Sequence, residues 1–184
     1  MIVNSIDDTA ALNMLAEICH SNLKNSKDLN DYLSSSRGLS SDIISKYRIG
    51  FFPQNLKKLT SFIPESLLLR LNIAETPYRS QFSDYFSLIF PIYSEHGDAI
   101  GISGRTLLSD IERRSIGIPK YKNSSYKKAE ILYGLKEASE EIIDSQNAYV
   151  VEGYFDKIAM DYAGVNNAVA ICGTAFSQKH FLKL

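Results

Sequence analysis

Hydrophobic residues in the first half of the chain recur at helical spacing and predict a series of helices. The longest begins after Asp7 and Asp8, because acidic side chains suit the positive end of a helix. Shorter amphipathic groups after Ser26, Asn55 and Pro64 predict further helices that need tertiary packing to persist. The apolar face of the first helix is formed by Leu12, Leu15, Cys19 and Leu23. We therefore expect a helical first half.

The pattern changes near residue 87, where a β-rich apolar run begins. Residues 88–93 (LIFPIY) and 99–102 (AIGI) flank a turn at 96–98, which predicts a hairpin. Pro91 lacks an amide hydrogen, so we expect its strand to lie at an edge or to carry a bulge there. Gly101 and Gly104 indicate either a bulge or the close approach of another backbone or a ligand.

The last third alternates helices and strands. The pattern predicts a helix over 135–143, a strand at 148–151, a helix over 155–162 and a strand at 167–172. Such a βαβ unit is right-handed and its strands are parallel. The whole pattern predicts an α/β (α+β) fold, in which a helical, mixed-sheet first part precedes a Rossmann-like βαβ unit.

The composition is that of a folded domain rather than a disordered chain. Of the 184 residues, 45% are hydrophobic and 22% charged, enough for one domain or two subdomains with a real core. Cys19 and Cys172 offer neither a disulfide framework nor a zinc site, which favours a reducing, cytoplasmic compartment. No apolar run approaches the ~20 residues of a membrane span, so a membrane partner is disfavoured.

The net charge of −1 hides a contrast along the chain. Residues 101–128 carry seven basic and two acidic side chains, whereas residues 129–161 carry eight acidic and two basic ones. A polyanion held beside a cation-binding centre requires such a division. Two oppositely charged solvated faces would show the same division, and charge alone leaves both interpretations open.

The strongest local candidate for chemistry is the segment VVEGYFD at 150–156. It places Glu152 at the carboxyl end of a predicted buried parallel strand, where ligand sites of open α/β sheets lie. Gly153 lets a ligand approach the backbone, and Asp156 lies one helical turn beyond Glu152. Thr174 follows the second predicted strand and is expected at the same edge. The alternative is a helix entry with favourable first-turn acids.

A second candidate is the loop IPKYKNS at 118–124, which has no apolar period. Lysines such as Lys120 neutralise phosphates, Tyr121 offers a ring on which a base can stack, and Asn123 can donate to phosphate oxygens. These residue types favour a nucleic-acid backbone. Similar loops also occur on many surfaces that bind nothing.

In their order along the chain, these segments resemble the RNA-polymerase core of bacterial DnaG-type DNA primases. The resemblance covers nearly the whole chain. The matching elements are Tyr32-Leu33, Arg37-Gly38-Leu39, Ile49-Gly50-Phe51, Phe90-Pro91-Ile92, Gly104-Arg105, PKYKNS at 119–124, Lys128, LYGL at 132–135, VEGYFD at 151–156, and Gly173-Thr174-Ala175 followed by His180.

The resemblance implies a core of two parts. Residues 1–145 would form a basic N-terminal subdomain that follows a single-stranded DNA template, and residues 146–184 would begin a truncated Toprim subdomain. The implied reaction is the synthesis of RNA primers from ribonucleoside triphosphates with Mg²⁺ or Mn²⁺. A replicative helicase would be contacted through regions not present in this chain.

The resemblance also implies roles for individual residues. Glu152 would be the catalytic carboxylate, and Glu152 and Asp156 would bind the metal. Two metal ions of this kind neutralise phosphate oxygens and activate the attacking 3′-hydroxyl. The residues expected to bind template or nucleotide are Arg105, Lys120, Tyr121, Asn123, Lys128, Gly153 and Thr174.

Three departures from the family pattern qualify the expected activity. The chain has no cysteine–histidine cluster of the family's zinc module, so no zinc is expected, and Ser87 stands where a basic residue is usual. The sequence stops before the paired aspartates that hold much of the metal, so we expect a weak or inactive polymerase on its own. The alternatives are a truncated non-catalytic remnant or a single-stranded DNA-binding module. The loop at 119–124 disfavours another Toprim enzyme, a topoisomerase or nuclease.

Overall fold

A computed structural model describes residues 6–173 and 175–184 of the chain. The chain folds into two compact units that mix helices and strands. Unit 1 comprises Met1–Pro91 and Ala99–Ser125, and unit 2 comprises Ile92–Asp98 and Tyr126–Leu184. Unit 2 thus includes residues 126–145. The predicted boundary between the two subdomains, at residues 145 and 146, came from the resemblance to the family and stays a prediction. No helix in the described ranges has the length and apolar character of a membrane span.

The helices of unit 1 follow the predicted apolar pattern. The first begins after Asp7, whose Oδ1 accepts a hydrogen bond from the Ala10 amide at 2.7 Å. All four residues of its predicted apolar face are buried, which confirms that prediction. The helices are α1 (Asp8–Lys24), α2 (Lys27–Arg37), α3 (Ser41–Lys46), α4 (Leu56–Thr60), α5 (Glu65–Arg70), α6 (Gln81–Asp84) and α7 (Asp110–Ser115).

A four-stranded sheet contains the predicted hairpin. Its strands lie in the order β1 (Gly50–Phe51), β2 (Leu88–Tyr93), β3 (Ala99–Arg105) and β4 (Tyr121–Asn123). The two residues of β1 pair only with Leu88 and Ile89 of β2. Among the described residues, β2 has no strand partner beyond these two on that side, so Pro91 interrupts no hydrogen bond of the described sheet there.

The interpretation of residues 118–124 as a loop was wrong in part. Tyr121–Asn123 forms the edge strand β4, which pairs antiparallel with β3 and sets Asn123 opposite Ser103 and Tyr121 opposite Arg105. All three residues of β4 are half-buried. The strand is held by pairing rather than by an alternating apolar pattern, which explains why the sequence showed no strand signal there.

The close approach predicted at Gly104 is confirmed. A Cβ atom at this position would collide with the Phe86 carbonyl oxygen and with the Phe82 ring. The neighbour is therefore another segment of unit 1 rather than a ligand.

Unit 2 contains the predicted βαβ arrangement. Strands β5 (Tyr149–Val151) and β6 (Ala168–Ala170) pair in parallel, and α9 (Tyr154–Tyr162) connects them. The prediction that β5 is buried was wrong, because its residues Tyr149 and Val150 are both exposed. Tyr133 adds an antiparallel bridge to Ala170. Leu132, Leu135, Ala138, Ile142 and Val169 form the core between α8 (Leu135–Ser145) and this sheet. A 3₁₀ turn at Lys128–Glu130 and α10 (Gln178–Phe181) complete the unit.

Candidate active site and nucleic-acid interface

Glu152 lies directly beyond the carboxyl end of β5. Val151, the last residue of the strand, pairs with Ala170 of β6, and the Glu152 side chain is exposed. The structure therefore places this carboxylate at the strand end that the sequence indicated, the position where open α/β sheets bind ligands.

Asp156 closes the turn between β5 and α9. Its Oδ2 accepts a hydrogen bond from the Gly153 amide at 2.9 Å, as the third residue of a capping box does. A Cβ atom at Gly153 would lie 3.2 Å from the same oxygen. The Asp156 side chain is nonetheless exposed. One of its carboxylate oxygens, Oδ2, therefore caps the start of α9. Metal binding by Asp156 stays a prediction.

The donor chemistry of this turn suits a divalent cation, although the ligands are few. Carboxylate oxygens are what Mg²⁺ prefers, and the ion commonly takes one or two of them together with waters and substrate phosphates. Glu152 and Asp156 supply two such groups. Within the described ranges, no cluster of three or more potential metal-ligating side chains exists. The residues fit the ion in kind, and two carboxylates alone are expected to bind it weakly.

Lys128 lies with Tyr154 and Cys172 beside the carboxyl ends of β5 and β6. These side chains line a cavity of about 10 Å³, which at most admits one water molecule. The hydroxyls of Tyr126 and Tyr154 approach to 3.5 Å, and Tyr154 also hydrogen-bonds to Cys172. The cluster is thus a packed support under the strand ends, and a substrate would have to bind outside it.

Burial keeps the acidic groups of this cluster protonated. It raises the pKa of the Cys172 thiol to about 12, against the smaller lowering effects of the Tyr154 hydrogen bond and of Lys128. Burial likewise raises the pKa of the Tyr126 hydroxyl. Neither group is a nucleophile or a general base at neutral pH.

His180 fixes the backbone at Lys128. Its ring is fully buried, and Nδ1 accepts a hydrogen bond from the Ser177 amide at 3.2 Å. Nε2 therefore carries the proton and donates to the Lys128 carbonyl oxygen at 3.1 Å. His180 therefore caps the start of α10 together with Ser177 and packs against the backbone of Lys128.

In unit 1, Arg105 and Tyr121 form a pair across β3 and β4. Arg105 Nη1 donates to the Tyr121 hydroxyl at 2.8 Å, and the guanidinium carbon lies 5.5 Å from the Tyr121 ring centroid. Arg105 is only 9% exposed. Its guanidinium is therefore built into the sheet edge rather than extended into solvent.

The other polar residues in and beside β4 differ in how accessible they are to a phosphate. Lys120 is exposed immediately before β4, while Asn123 is half-buried. Lys122 forms an ion pair with Glu75 at 3.3 Å. Among the lysines of this loop, Lys120 is therefore the more available to a phosphate.

The predicted site residues divide between the two units. Arg105, Lys120, Tyr121 and Asn123 belong to unit 1, whereas Lys128, Glu152, Gly153 and Asp156 belong to unit 2. Thr174, the remaining predicted residue, lies outside the described residues. Sequence reasoning missed the buried Lys157–Asp161 ion pair of α9, for which the spacing of four residues was the available signal.

Comparison with known protein families assigns the chain to a family. The DNA primase catalytic core, N-terminal domain family matches residues 18–139, and the Toprim domain family matches residues 146–184. This chain belongs to the DNA primase catalytic-core family. The resemblance and the mixed helix–sheet fold expected from the sequence are thereby confirmed.

Individual primases support the assignment. The chain is 34% identical to the DNA primase of Synechococcus elongatus over 164 residues and 35% identical to that of Borreliella burgdorferi over 165 residues. These matches cover 81% and 85% of this chain but only 22% and 31% of the two relatives. The chain thus spans less than a third of their length.

Solved primase structures share the fold. The zinc-binding and RNA polymerase domains of the Aquifex aeolicus primase match with a TM-score of 0.81 and 30% identity, over 94% of this chain and 43% of that one. The RNA polymerase domain of Mycobacterium tuberculosis primase matches with a TM-score of 0.80 and 29% identity, over 95% of this chain and 59% of that one.

Proposed function

We propose that this chain acts in RNA primer synthesis on single-stranded DNA, as the first part of a primase catalytic core. The observation that carries the proposal is the exposed Glu152 at the carboxyl end of β5, within the residues that the Toprim family matches. A solved DnaG primase catalytic domain bound to single-stranded DNA, 29% identical with a TM-score of 0.78, supports DNA as the template.

The proposed mechanism assigns the exposed carboxylates to the metal and the basic residues to phosphates. Glu152 and the outward oxygen of Asp156 would hold Mg²⁺. When bound, the ion neutralises phosphate charge and favours attack by a 3′-hydroxyl on the incoming triphosphate. Lys120 and Lys128 would hold template or nucleotide phosphates, Tyr121 would stack on a base, and Asn123 would donate to a phosphate. Gly153 and Thr174 would contact the nucleotide, Gly153 because a glycine lets a ligand approach the backbone closely.

Paramagnetic broadening by Mn²⁺ tests the metal site in this chain directly. We expect Mn²⁺ to broaden the backbone amide NMR signals of residues 152–156 and Glu152→Gln to abolish that broadening. Glu140→Gln is the matched control, because Glu140 is an exposed glutamate on α8 of the same unit. Equal broadening in both variants would remove Glu152 from the metal site.

A non-catalytic single-stranded DNA-binding module is the second candidate. It is favoured by the absence of a third metal-ligating side chain near the turn within the described ranges. Binding of an oligonucleotide without any Mn²⁺ effect at residues 152–156 would support this candidate over the polymerase.

A further inference from the structure

Unit 1 carries a cleft that none of the predicted site residues line. It consists of two adjoining cavities of about 420 Å³ and 220 Å³ that share Asn22, Pro53 and Lys58. The larger cavity is also lined by Asn25, Ser26, Phe51, Gln54 and Asn55. The smaller is also lined by Ile18, Ser21, Leu59 and Phe62. We call the two together the amide cleft.

The carboxamides of the amide cleft are only partly used by the protein. Asn22 Nδ2 donates to the Phe51 carbonyl at 3.4 Å, and Asn25 Nδ2 donates to the Ser21 carbonyl at 3.2 Å. Asn55 Oδ1 accepts from the Lys58 amide at 3.2 Å. Among the described residues, the side-chain oxygens of Asn22 and Asn25, the Asn55 NH₂ and both ends of Gln54 have no protein partner. The cleft therefore offers donors and acceptors together, as the edge of a base requires.

The charge of the amide cleft is positive and uncompensated. Lys58 is exposed, has no carboxylate within 4 Å among the described residues, and is the only ionisable side chain that lines either cavity. A lone lysine without a carboxylate neighbour favours an anion, and phosphate is the anion that lysines commonly neutralise in nucleic-acid sites.

Aromatic and apolar surface completes the amide cleft. Phe51 is half-buried at the larger cavity, and Phe62 is 52% exposed at the smaller one. An exposed phenylalanine offers a face on which any base can stack. Stacking surface, edge-reading amides and one cation are the three contacts that a nucleotide needs.

We propose that the amide cleft binds a nucleotide, with its base against the phenylalanine and carboxamide walls and its phosphate at Lys58. The site goes beyond the proposed primer synthesis, because none of its residues lies in the basic segment 101–128 or at the β5 strand end. The nucleotide is either free or one unit of a single strand, and the chemistry of recognition is the same for both.

Titration of the ¹⁵N-labelled full chain with dAMP, adenosine and a ten-residue oligo-dA tests the site. We expect dAMP and oligo-dA to shift the side-chain NH₂ signals of Asn22, Gln54 and Asn55, and adenosine to bind more weakly because it lacks the phosphate. Shifts with oligo-dA alone identify a strand, and shifts with dAMP of similar affinity identify a free nucleotide.

Variants separate a specific site from general charge attraction. Lys58→Gln should weaken dAMP or oligo-dA binding at the cleft about tenfold, the usual effect of losing one charged hydrogen bond. Gln54→Ala should weaken it as well without disturbing the fold, because the Gln54 side chain makes no hydrogen bond to the residues that the structure describes. Lys57→Gln is the matched control, since Lys57 is exposed on the same helix but lines neither cavity.

Two results would overturn the site. One is the absence of amide-cleft shifts with both phosphorylated probes, and the other is an equal loss of affinity in Lys57→Gln and Lys58→Gln. Lys120→Gln distinguishes the two proposals, because it should weaken template binding in the basic segment while leaving the dAMP shifts at the amide cleft unchanged. The proposal of primer synthesis can thus be contradicted while nucleotide binding at the amide cleft is supported. Nucleotide binding at the amide cleft can likewise be contradicted while primer synthesis is supported.

Discussion

At the scale of single residues, Lys157 explains why a glycine stands at position 134. The Lys157 side chain is fully buried and its ammonium pairs with Asp161 one helical turn further along α9. A Cβ atom at Gly134 would lie 2.5 Å from Lys157 Cε, and Gly134 has a φ angle of +79°. Because its ammonium is held by the ion pair, the lysine cannot move aside cheaply.

Gly134→Ala should therefore lower the free energy of unfolding by more than about 2 kcal/mol, which combines the positive-φ cost with steric overlap. Gly164→Ala isolates the first contribution, because Gly164 has a φ angle of +82° in the same unit and open space around it. Urea unfolding followed by circular dichroism measures both. Equal losses would show that Lys157 exerts no steric constraint.

Cys172 permits a second test at this scale. Because burial raises the pKa of its thiol to about 12, almost none of it is thiolate at pH 8. Alkylation by iodoacetamide at pH 8 should be more than about a hundredfold slower than that of free cysteine, whose pKa is near 8.5. The alkylation rate, measured by mass spectrometry, should rise steadily as the pH is raised beyond 9. A rate at pH 8 like that of free cysteine would contradict the packing of Tyr154 and Lys128 around the Cys172 thiol.

At the scale of elements, β5 is the least covered strand of the described fold. Tyr149 and Val150 point to opposite faces of the sheet and are 55% and 42% exposed. The Tyr149 amide donates to the Asn167 carbonyl, and the Val151 carbonyl accepts from the Ile171 amide. The backbone groups of Val150 therefore point away from β6 along an open edge. Uncharged open edges of this kind pair with other chains.

We expect the chain to self-associate with rising concentration through this edge, and Val150→Lys to suppress the association. A lysine on an edge strand disfavours pairing and costs little where the side chain is already exposed. Ile111→Lys on α7 is the control, since Ile111 is 82% exposed and lies on a helix. Sedimentation velocity measures the result, and equal suppression by both lysines would point to general apolar attraction.

The elements that the sequence predicts well are those whose burial follows a local period. The buried face of α1 is of this kind, since a helix repeats its own pattern. Strand β5 forms where the sequence predicts it, but its apolar residues Tyr149 and Val150 are exposed, so its burial did not follow from the sequence pattern. Strand β4 is not of this kind, because three half-buried residues are held by pairing with β3. The amide cleft is also invisible in sequence, since it joins residues of α1, β1 and the start of α4 that no local pattern connects.

At the scale of the whole molecule, the family matches and the structural units divide the chain at different places. The N-terminal domain family matches residues 18–139 and the Toprim family residues 146–184, whereas unit 2 already includes residues 126–139. The position of Glu152 could be predicted because a parallel strand delivers its carboxyl end to a ligand site. The engagement of Asp156 with Gly153 could only be weighed as an alternative, since the spacing Glu-Gly-x-x-Asp suits both a cap and a metal ligand.

The central claim, that Glu152 is the catalytic carboxylate of primer synthesis, is tested most directly in a chimaera. This chain would replace the matching region of the Aquifex aeolicus primase, and primers made on single-stranded DNA with Mg²⁺ would be counted. We predict that Glu152→Gln lowers the rate on the order of 10²-fold or more, as loss of one transition-state electrostatic group does, with unchanged DNA affinity. A Glu152→Gln chimaera that makes primers at the parental rate would contradict the account.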